Sequence, residues 1–278
     1  MEFQELELPD YVETRGRYGL LASFVGFTLV IGSSYAAFLY EFAHYYEPML
    51  AGLILVLLPF TPRTLLDKET LLPLYVMFLL AGLIFDGLIV PNVVQLWSYG
   101  YTSHVEFVPL YAWIYPAGGF VMLQSFIVLD RIFDAPASAS LPVTWPIGAA
   151  AIGSSVGTAV AIVFSFHPIV VFGGFVLIGF FTREYVAQRR TGTSLLGKVY
   201  AAPVRVTSII LSVAVVNALL HEAPNTVAGQ WIYHDIPFST VALFGVPILV
   251  IFGWVFLVLA PVSWYYSDPL DIVRGRSD

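Results

Sequence analysis

Long runs of apolar residues, separated by short polar segments, dominate the chain. Six of these runs are long enough to cross a membrane as helices, which takes roughly 17–25 residues. They cover 18–40, 71–90, 106–129, 143–166, 204–220 and 238–263. Two shorter runs, 48–60 and 168–181, must cross as well if the others alternate sides. The pattern therefore predicts eight transmembrane helices.

The positions of the charged residues support a count of eight. With eight spans, both termini share one side with the loops that follow the second, fourth and sixth spans. All twelve Lys and Arg residues then fall on that side, and all five His residues fall on the other. A six- or seven-span arrangement scatters the cations. Because cytoplasmic loops carry the excess of Lys and Arg, we expect a multi-pass protein of the cell membrane with both termini cytoplasmic.

The eight predicted spans divide into two sets of four, and corresponding spans of the two sets carry similar residues at their ends. The second span ends at Thr61-Pro-Arg63 and the sixth ends at Thr182-Arg183, while Val-Pro pairs at 108–109 and 246–247 mark the fourth and eighth. An even number of spans per half predicts a parallel repeat. The predicted parts are a polar tail at 1–17, repeats at 18–132 and 143–265, a linker at 133–142, and a tail at 266–278.

Composition agrees with an all-α polytopic membrane protein. Hydrophobic residues make up 58% of the 278, charged residues only 11%, and the mean hydropathy is +0.82. Soluble domains carry about 25% charged residues. The absence of cysteine excludes disulfides and thiolate catalysis. A net charge of −7 argues against nucleic acid as a partner. Membrane lipids are expected partners, with a homo-oligomer or a membrane complex left open.

One polar pattern recurs at the end of an apolar run in each half: an acid, a Pro-Asn pair and a Trp-x-Tyr. The copies comprise Asp86, Pro91, Asn92, Trp97 and Tyr99 in the first half, and Glu222, Pro224, Asn225, Trp231 and Tyr233 in the second. An acid in a membrane segment is costly and is by default a functional-site hypothesis. A partly desolvated carboxyl group keeps its proton more readily and can donate it to an alkene. We therefore predict one site built from both halves.

Each element of the pattern also has a structural interpretation. Each acid could cap a broken helix or pair with a polar loop group. The Pro-Asn pairs are expected to end or kink their helices, with Asn92 and Asn225 satisfying freed backbone groups. The Trp-x-Tyr pairs either line a pocket, where their ring faces stabilise a carbocation, or form an aromatic belt at the membrane interface.

Histidines on the non-cytoplasmic side raise the question of a metal. No pair of them has the spacing of metal ligands on one helix, so we predict neither a metal nor another cofactor. His104 and His221 are instead candidate proton partners for the acids.

The second copy of the pattern resembles the membrane carotenoid hydratases. It reads Glu-Ala-Pro-Asn-Thr-Val-Ala-Gly-Gln-Trp-Ile-Tyr over 222–233 and is followed by Gly-Val-Pro at 245–247 and Gly-Trp at 253–254. Pro-Leu-Tyr at 109–111 is similar to a motif of the AveC-type spirocyclases. Small membrane lycopene and terpene cyclases are similar in combining an acid, an aromatic pair and a next helix anchored by a proline. The likeness is to the superfamily rather than to one member, since Glu222-Ala-Pro224 replaces the hydratase Asp-Pro and no Pro-x-Glu-Glu occurs.

The resemblance implies an intramembrane acid–base enzyme that cyclises or hydrates a lipophilic isoprenoid or carotenoid-like molecule without redox chemistry. Asp86 and Glu222 would be catalytic. The substrate-binding residues would be Trp97, Tyr99, Trp231, Tyr233, Asn92, Asn225, Tyr111 and Trp254. The alternative is a non-catalytic protein that binds or transports a lipid or carotenoid, or a subunit of a membrane complex, because parallel repeats also occur in transporters.

Overall fold

The computed structural model describes residues 11–100 and 110–266, and most of them are helical. The helices are α1 (Tyr11–Tyr40), α2 (Tyr46–Leu57), α3 (Arg63–Leu66), α4 (Lys68–Ile84), α5 (Tyr115–Ile132), α6 (Trp145–Val163), α7 (Pro168–Arg190), α8 (Leu195–Ala201), α9 (Pro203–Ala228) and α10 (Ile248–Tyr266). A 3-10 turn (Leu58–Phe60) extends α2, a π-helical segment (Phe85–Val94) extends α4, and another (Leu110–Ile114) precedes α5. The strands are β1 (Trp97–Tyr99), β2 (Trp231–Tyr233), β3 (Ala242–Leu243) and β4 (Val246–Pro247).

Seven helices within 11–100 and 110–266 are long and apolar enough to cross a membrane. The structure therefore confirms the part of the predicted fold class that concerns a mostly helical chain with several such helices. The helix formed by α2 and its 3-10 turn, Tyr46–Phe60, is apolar but shorter. Large apolar side chains cover the outer faces of the peripheral helices, as contact with lipid requires. Examples are Tyr18, Leu20, Phe24, Trp145 and Ile152.

Two predicted boundaries differ in the structure. The short apolar run at 168–181 belongs to a helix of 23 residues, because α7 continues through polar residues as far as Arg190. The predicted span 238–263 begins later, at Ile248, because β3 and β4 pair as a small antiparallel hairpin just before it. Hydropathy alone does not separate these residues from the helix, since most of them are apolar as well.

The first helical hairpin depends on a close backbone approach. A Cβ atom on Gly26 would lie 2.6 Å from the carbonyl oxygen of Gly52, and a Cβ atom on Gly52 would lie 2.7 Å from that of Gly26. Only glycine allows α1 and α2 to cross at this separation. The inner face of α2 then packs on α5 and on Trp231, through Tyr45, Met49 and Leu50, all fully buried.

The central layer consists of α4, α5, α9 and α10, whose facing aliphatic side chains form the largest core. The second hairpin, α6 and α7, lies outside this layer. Its helix α6 packs mainly on α7, and α7 reaches α10 and the π-helical end of α4. Of the first hairpin, α2 packs into the core while α1 is mostly exposed, and the second hairpin is a peripheral wall.

The two Trp-x-Tyr segments form one antiparallel strand pair. Trp97 pairs with Tyr233, and Tyr99 pairs with Trp231. Each strand follows a helix that ends at a residue in the left-handed conformation, Gln95 (φ 52°) or Gly229 (φ 65°). Neither proline ends its helix: the π-helical segment continues past Pro91 and α9 continues past Pro224, each for several residues.

Candidate functional site

Glu222 lies on α9 with three donors directed at its carboxyl group. Oε1 accepts hydrogen bonds from the Tyr233 hydroxyl (2.6 Å) and from the Trp254 indole (2.9 Å), and Oε2 accepts one from the Trp231 indole (3.0 Å). The residue is only 3% exposed. A carboxylate has acceptor capacity for all three donors, so these hydrogen bonds favour an anionic Glu222, whereas its burial favours the protonated form.

Asp86 lies in the π-helical segment that extends α4, where it is 7% exposed. Its Oδ2 accepts a hydrogen bond from the Tyr99 hydroxyl, and that hydroxyl is also 2.9 Å from the hydroxyl of Tyr115. The side chain of Trp97 interacts with the same carboxyl group. The π-helix is rare in proteins and is frequently found at functional sites.

The two acids share one cavity of about 460 Å³. Its polar groups come mainly from the two patterns, and the remaining walls are aromatic and aliphatic side chains of α4, α5, α7 and α10. The predicted residues that line it are Asp86, Glu222, Trp97, Tyr99, Trp231, Tyr233 and Trp254. Small-molecule sites usually measure roughly 300–1,000 Å³ and are mostly apolar with a few convergent polar groups. The cavity matches that description.

The phenols of Tyr99 and Tyr233, in the strands outside the helical spans, each donate a hydrogen bond to one of the two acids. Burial raises the pKa of both phenols well above their usual range, and the adjacent carboxyl groups of Asp86 and Glu222 raise them further. Both tyrosines therefore remain neutral donors at physiological pH. The two hydroxyls also lie close enough to each other to interact electrostatically. The two acids thus line one cavity, each with its own tyrosine donor, and the two tyrosines interact electrostatically.

Asn225 and Asn92, equivalent in sequence, have different surroundings. Asn225 is buried, donates to the carbonyl of Trp231 (2.8 Å) and accepts from its amide (3.1 Å), so it holds the start of β2 against α9. Asn92 is exposed and donates to the carbonyl of Leu88 one turn back (2.7 Å). Neither amide lines the cavity. Tyr111 stacks on Tyr115, with ring centroids 6.0 Å apart, and lies behind the cavity wall.

His221, a predicted proton partner, is fully buried but its ring nitrogens contact neither acid. Nδ1 is 3.2 Å from the hydroxyl of Tyr46, and the ring packs on Trp254 at a centroid distance of 4.7 Å. Among the described residues, Nε2 has no hydrogen-bond partner. His104, the other candidate, lies outside the described residues. Within 11–100 and 110–266, no three His, Cys, Asp or Glu residues group together as a metal site requires.

Two tyrosines of the site were not predicted from the sequence. Tyr115 contacts the Tyr99 hydroxyl, and its position four residues after Tyr111 places both on one helical face, a signal that could have indicated it. Tyr46 lines the cavity, interacts electrostatically with Tyr233 and contacts His221. Tyr46 comes from the first hairpin, outside both copies of the pattern, so no local signal marks it.

Comparison with known proteins found no matching family model, no matching curated protein and no matching solved structure. The site must therefore be interpreted from its own residues, and the resemblance to isoprenoid-modifying membrane enzymes stays a prediction.

Proposed function

We propose that this protein is an intramembrane acid–base enzyme that cyclises or hydrates a lipophilic isoprenoid or carotenoid-like substrate. One observation carries the proposal: two buried carboxyl groups, each hydrogen-bonded by a tyrosine of the strand pair, line a single, mostly apolar cavity. Burying two acids beside apolar walls is costly, and such a cost is typically retained where the acids have a function.

The two acids take different roles in this proposal. Asp86 donates a proton to one carbon of a carbon–carbon double bond, which leaves a cation on the other carbon. The ring faces of Trp97, Tyr99, Trp231 and Tyr233 stabilise that cation. Glu222, with three donors on its carboxylate, is the anion that accepts a proton in the next step.

The final step decides the product. In a cyclisation, a second double bond of the substrate attacks the cation, which forms the ring bond and leaves a new cation on the far carbon of that double bond. Glu222 then accepts a proton from a carbon next to the new cation, so that no atom is gained or lost. In a hydration, water attacks the cation and loses its proton to Glu222. Both routes return the proton to Asp86 before the next turnover, and neither requires redox chemistry.

We also propose that the chain crosses the cell membrane eight times as two parallel four-helix repeats, with both termini cytoplasmic. The antiparallel register of β1 and β2 supports the two-fold repeat, because each strand's Trp is paired with the other strand's Tyr, as a two-fold axis between equivalent segments requires. The two acid–tyrosine hydrogen bonds are related in the same way. The eighth crossing would be the short helix Tyr46–Phe60.

Membership of the superfamily of membrane hydratases and cyclases is part of the proposal. Its support is that the residues matching the family motifs also converge in space: Glu222, Trp231, Tyr233 and Trp254 form one hydrogen-bonded group, although Trp254 follows the acid by 32 positions.

The test is the pair of variants Asp86→Asn and Glu222→Gln, which keep size and remove the acid. Lipids from cells that express each form would be compared by mass spectrometry with those from cells lacking the gene. We expect conversion of an isoprenoid to fall about 10²–10⁴-fold in both variants. The matched controls are Asp67→Asn and Glu69→Gln, which alter exposed acids on the loop before α4 and at its start. Full conversion by both active-site variants would refute the proposal.

A lipid- or carotenoid-binding protein without catalysis is the second candidate. The observation that favours it is the complete hydrogen bonding of Glu222, which is also how a purely structural buried acid is satisfied. Under this alternative an isoprenoid copurifies unchanged with the wild-type protein, and cellular lipids are identical with and without the gene.

A further inference from the structure

The exposed part of the cavity lining lies on two helices. Among the described residues that line it, three are exposed: Gly179 on α7, and Phe252 and Leu257 on α10. Phe252 is 59% exposed and Leu257 is 43% exposed. The lining residues of α4, α5 and the strands are buried or partly buried. The opening, here called the mouth, therefore lies between α7 and α10.

The mouth lies within the apolar parts of both helices. Gly179 belongs to the apolar run 168–181 of α7, one turn before Arg183, and Leu257 is midway along α10 (Ile248–Tyr266). Both helices are long and apolar enough to cross a membrane. The midpoint of a spanning helix lies in the hydrocarbon core, which is about 30 Å thick. The mouth consequently opens toward lipid chains and away from the aqueous phases.

Contacts toward the two ends of α7 hold it in place, and open space lies beside the glycines between them. Near the start of α7, the ring of Phe172 packs on Trp97 with centroids 5.2 Å apart. Toward the end, Ser263 of α10 donates a hydrogen bond to Glu184. Between these contacts, Cβ atoms added to Gly173 or Gly179 would meet no atom within 4 Å. The glycines thus leave open space where other residues would place side chains.

We infer that the substrate has a long apolar chain that enters from the bilayer through this mouth, with its reacting end at the acids and its remaining length in the mouth and the surrounding lipid. The cavity of about 460 Å³ accommodates one end of such a chain. An apolar chain stays in a low-dielectric environment along the whole path, so it reaches the cavity without being exposed to water. The nature of the reacting end rests on the proposed function, whereas the path rests on the mouth.

The first test narrows the mouth. Gly179→Phe places a ring in the open space, and Gly157→Phe is its matched control, because a Cβ atom there also meets nothing within 4 Å and the residue is an exposed part of α6 away from the cavity. In proteoliposomes we expect Gly179→Phe to slow conversion of the isoprenoid about tenfold or more, since entry becomes limiting. The control should retain the wild-type rate. Equal rates for the two variants would overturn the inference.

The second test does not depend on turnover. Because the chain has no cysteine, Gly179→Cys gives a single site for a nitroxide spin label. Asp86→Asn is added so that no reaction occurs. In bilayers, we expect the label to be accessible to oxygen and shielded from a water-soluble nickel chelate. Geranylgeraniol, a twenty-carbon isoprenoid alcohol, should immobilise it. The same label at Gly157→Cys should be insensitive to geranylgeraniol.

The outcomes separate the path from the chemistry. Access of the nickel chelate, or a label at 179 that geranylgeraniol leaves unchanged, overturns the path even if Asp86 proves catalytic. Immobilisation of that label together with full conversion by the Asp86→Asn variant supports the path and refutes the proposed acid–base function.

Discussion

At the scale of single residues, the site depends on how a buried carboxyl group is satisfied. Glu222 and Asp86 are hydrogen-bonded by indole and phenol donors rather than by Lys or Arg. A Lys or Arg partner would hold the carboxyl group in its ionised form, so that it would no longer exchange a proton readily. Neutral donors orient each carboxyl group and leave it available for chemistry. The aromatic side chains serve as both hydrogen-bond donors and cavity walls.

The phenols predict how stability changes with pH. The pKa values of Tyr99 and Tyr233 are raised in the folded protein, so the native state keeps protons that the unfolded chain loses above about pH 10. Stability from these groups is complete below about pH 10 and decreases as the pH rises further. Thermal unfolding in detergent between pH 8 and 11, roughly, measures the decline.

The comparison that isolates these two phenols is the double variant Tyr99→Phe/Tyr233→Phe. We expect its melting temperature to decline less steeply above about pH 10 than that of the wild type. The control Tyr18→Phe/Tyr35→Phe removes two exposed phenols and should keep the wild-type slope. If the melting temperature of the Tyr99/Tyr233 variant declined with pH as steeply as that of the wild type, these two phenols would not be the cause of the decline.

At the scale of elements, the two halves use the same pattern with different local geometry. The first acid lies in a π-helical segment, whereas α9 carries the second acid in a regular helix that continues through Pro224. The two strands nevertheless meet in one register, with Trp97 opposite Tyr233. Asn225, which bonds both backbone groups of Trp231, fixes where β2 leaves its helix.

The asparagines give a matched pair of variants. Asn225→Ala removes two buried hydrogen bonds and leaves backbone groups of Trp231 without partners, so we expect it to destabilise the protein by about 1–3 kcal/mol and to lower conversion. Asn92→Ala removes one exposed bond and should change stability by about 0.5 kcal/mol or less. Thermal unfolding of both variants in the same detergent measures the difference. Equal losses would show that Asn225 does not position β2.

At the scale of the whole molecule, one buried ion pair joins the two halves at the end away from the strand pair. Lys198 on α8 lies 2.9 Å from Asp130 near the end of α5, and its ammonium donates to the carbonyl of Pro136 in the linker (2.8 Å). Only 4% of the Lys198 side chain is exposed. The chain has just two lysines, and the other, Lys68, is 89% exposed. This contrast provides an internal control.

Removal of the buried cation should therefore loosen the contact between the halves. Lys198→Met leaves Asp130 partly buried without its cation, and we expect a loss of about 3–5 kcal/mol. Lys68→Met should cost about 1 kcal/mol or less, because an exposed pair contributes little. Chemical unfolding in detergent compares the two, and similar losses would rule out a role for Lys198 in joining the halves.

The local features of this protein could be predicted from the sequence. Apolar runs indicate where helices cross, because the cost of placing polar groups in lipid acts on each segment separately. The repeated acids and Trp-x-Tyr pairs indicate the residues of interest for the same reason, since a polar group in an apolar run is costly wherever the run lies. Asp86, Glu222 and the four aromatic residues needed no knowledge of packing.

Other features were decided only by tertiary packing. The single cavity, the pairing of Trp97 with Tyr233, the contribution of Tyr46 and the mouth between α7 and α10 join residues far apart in the chain. Each depends on how closely whole helices approach one another. That separation depends on the summed packing of many side chains and on glycines such as Gly26 and Gly52. Residue type and spacing along the chain carry no measure of it, so the sequence determined which groups are available and the tertiary structure decided which of them meet.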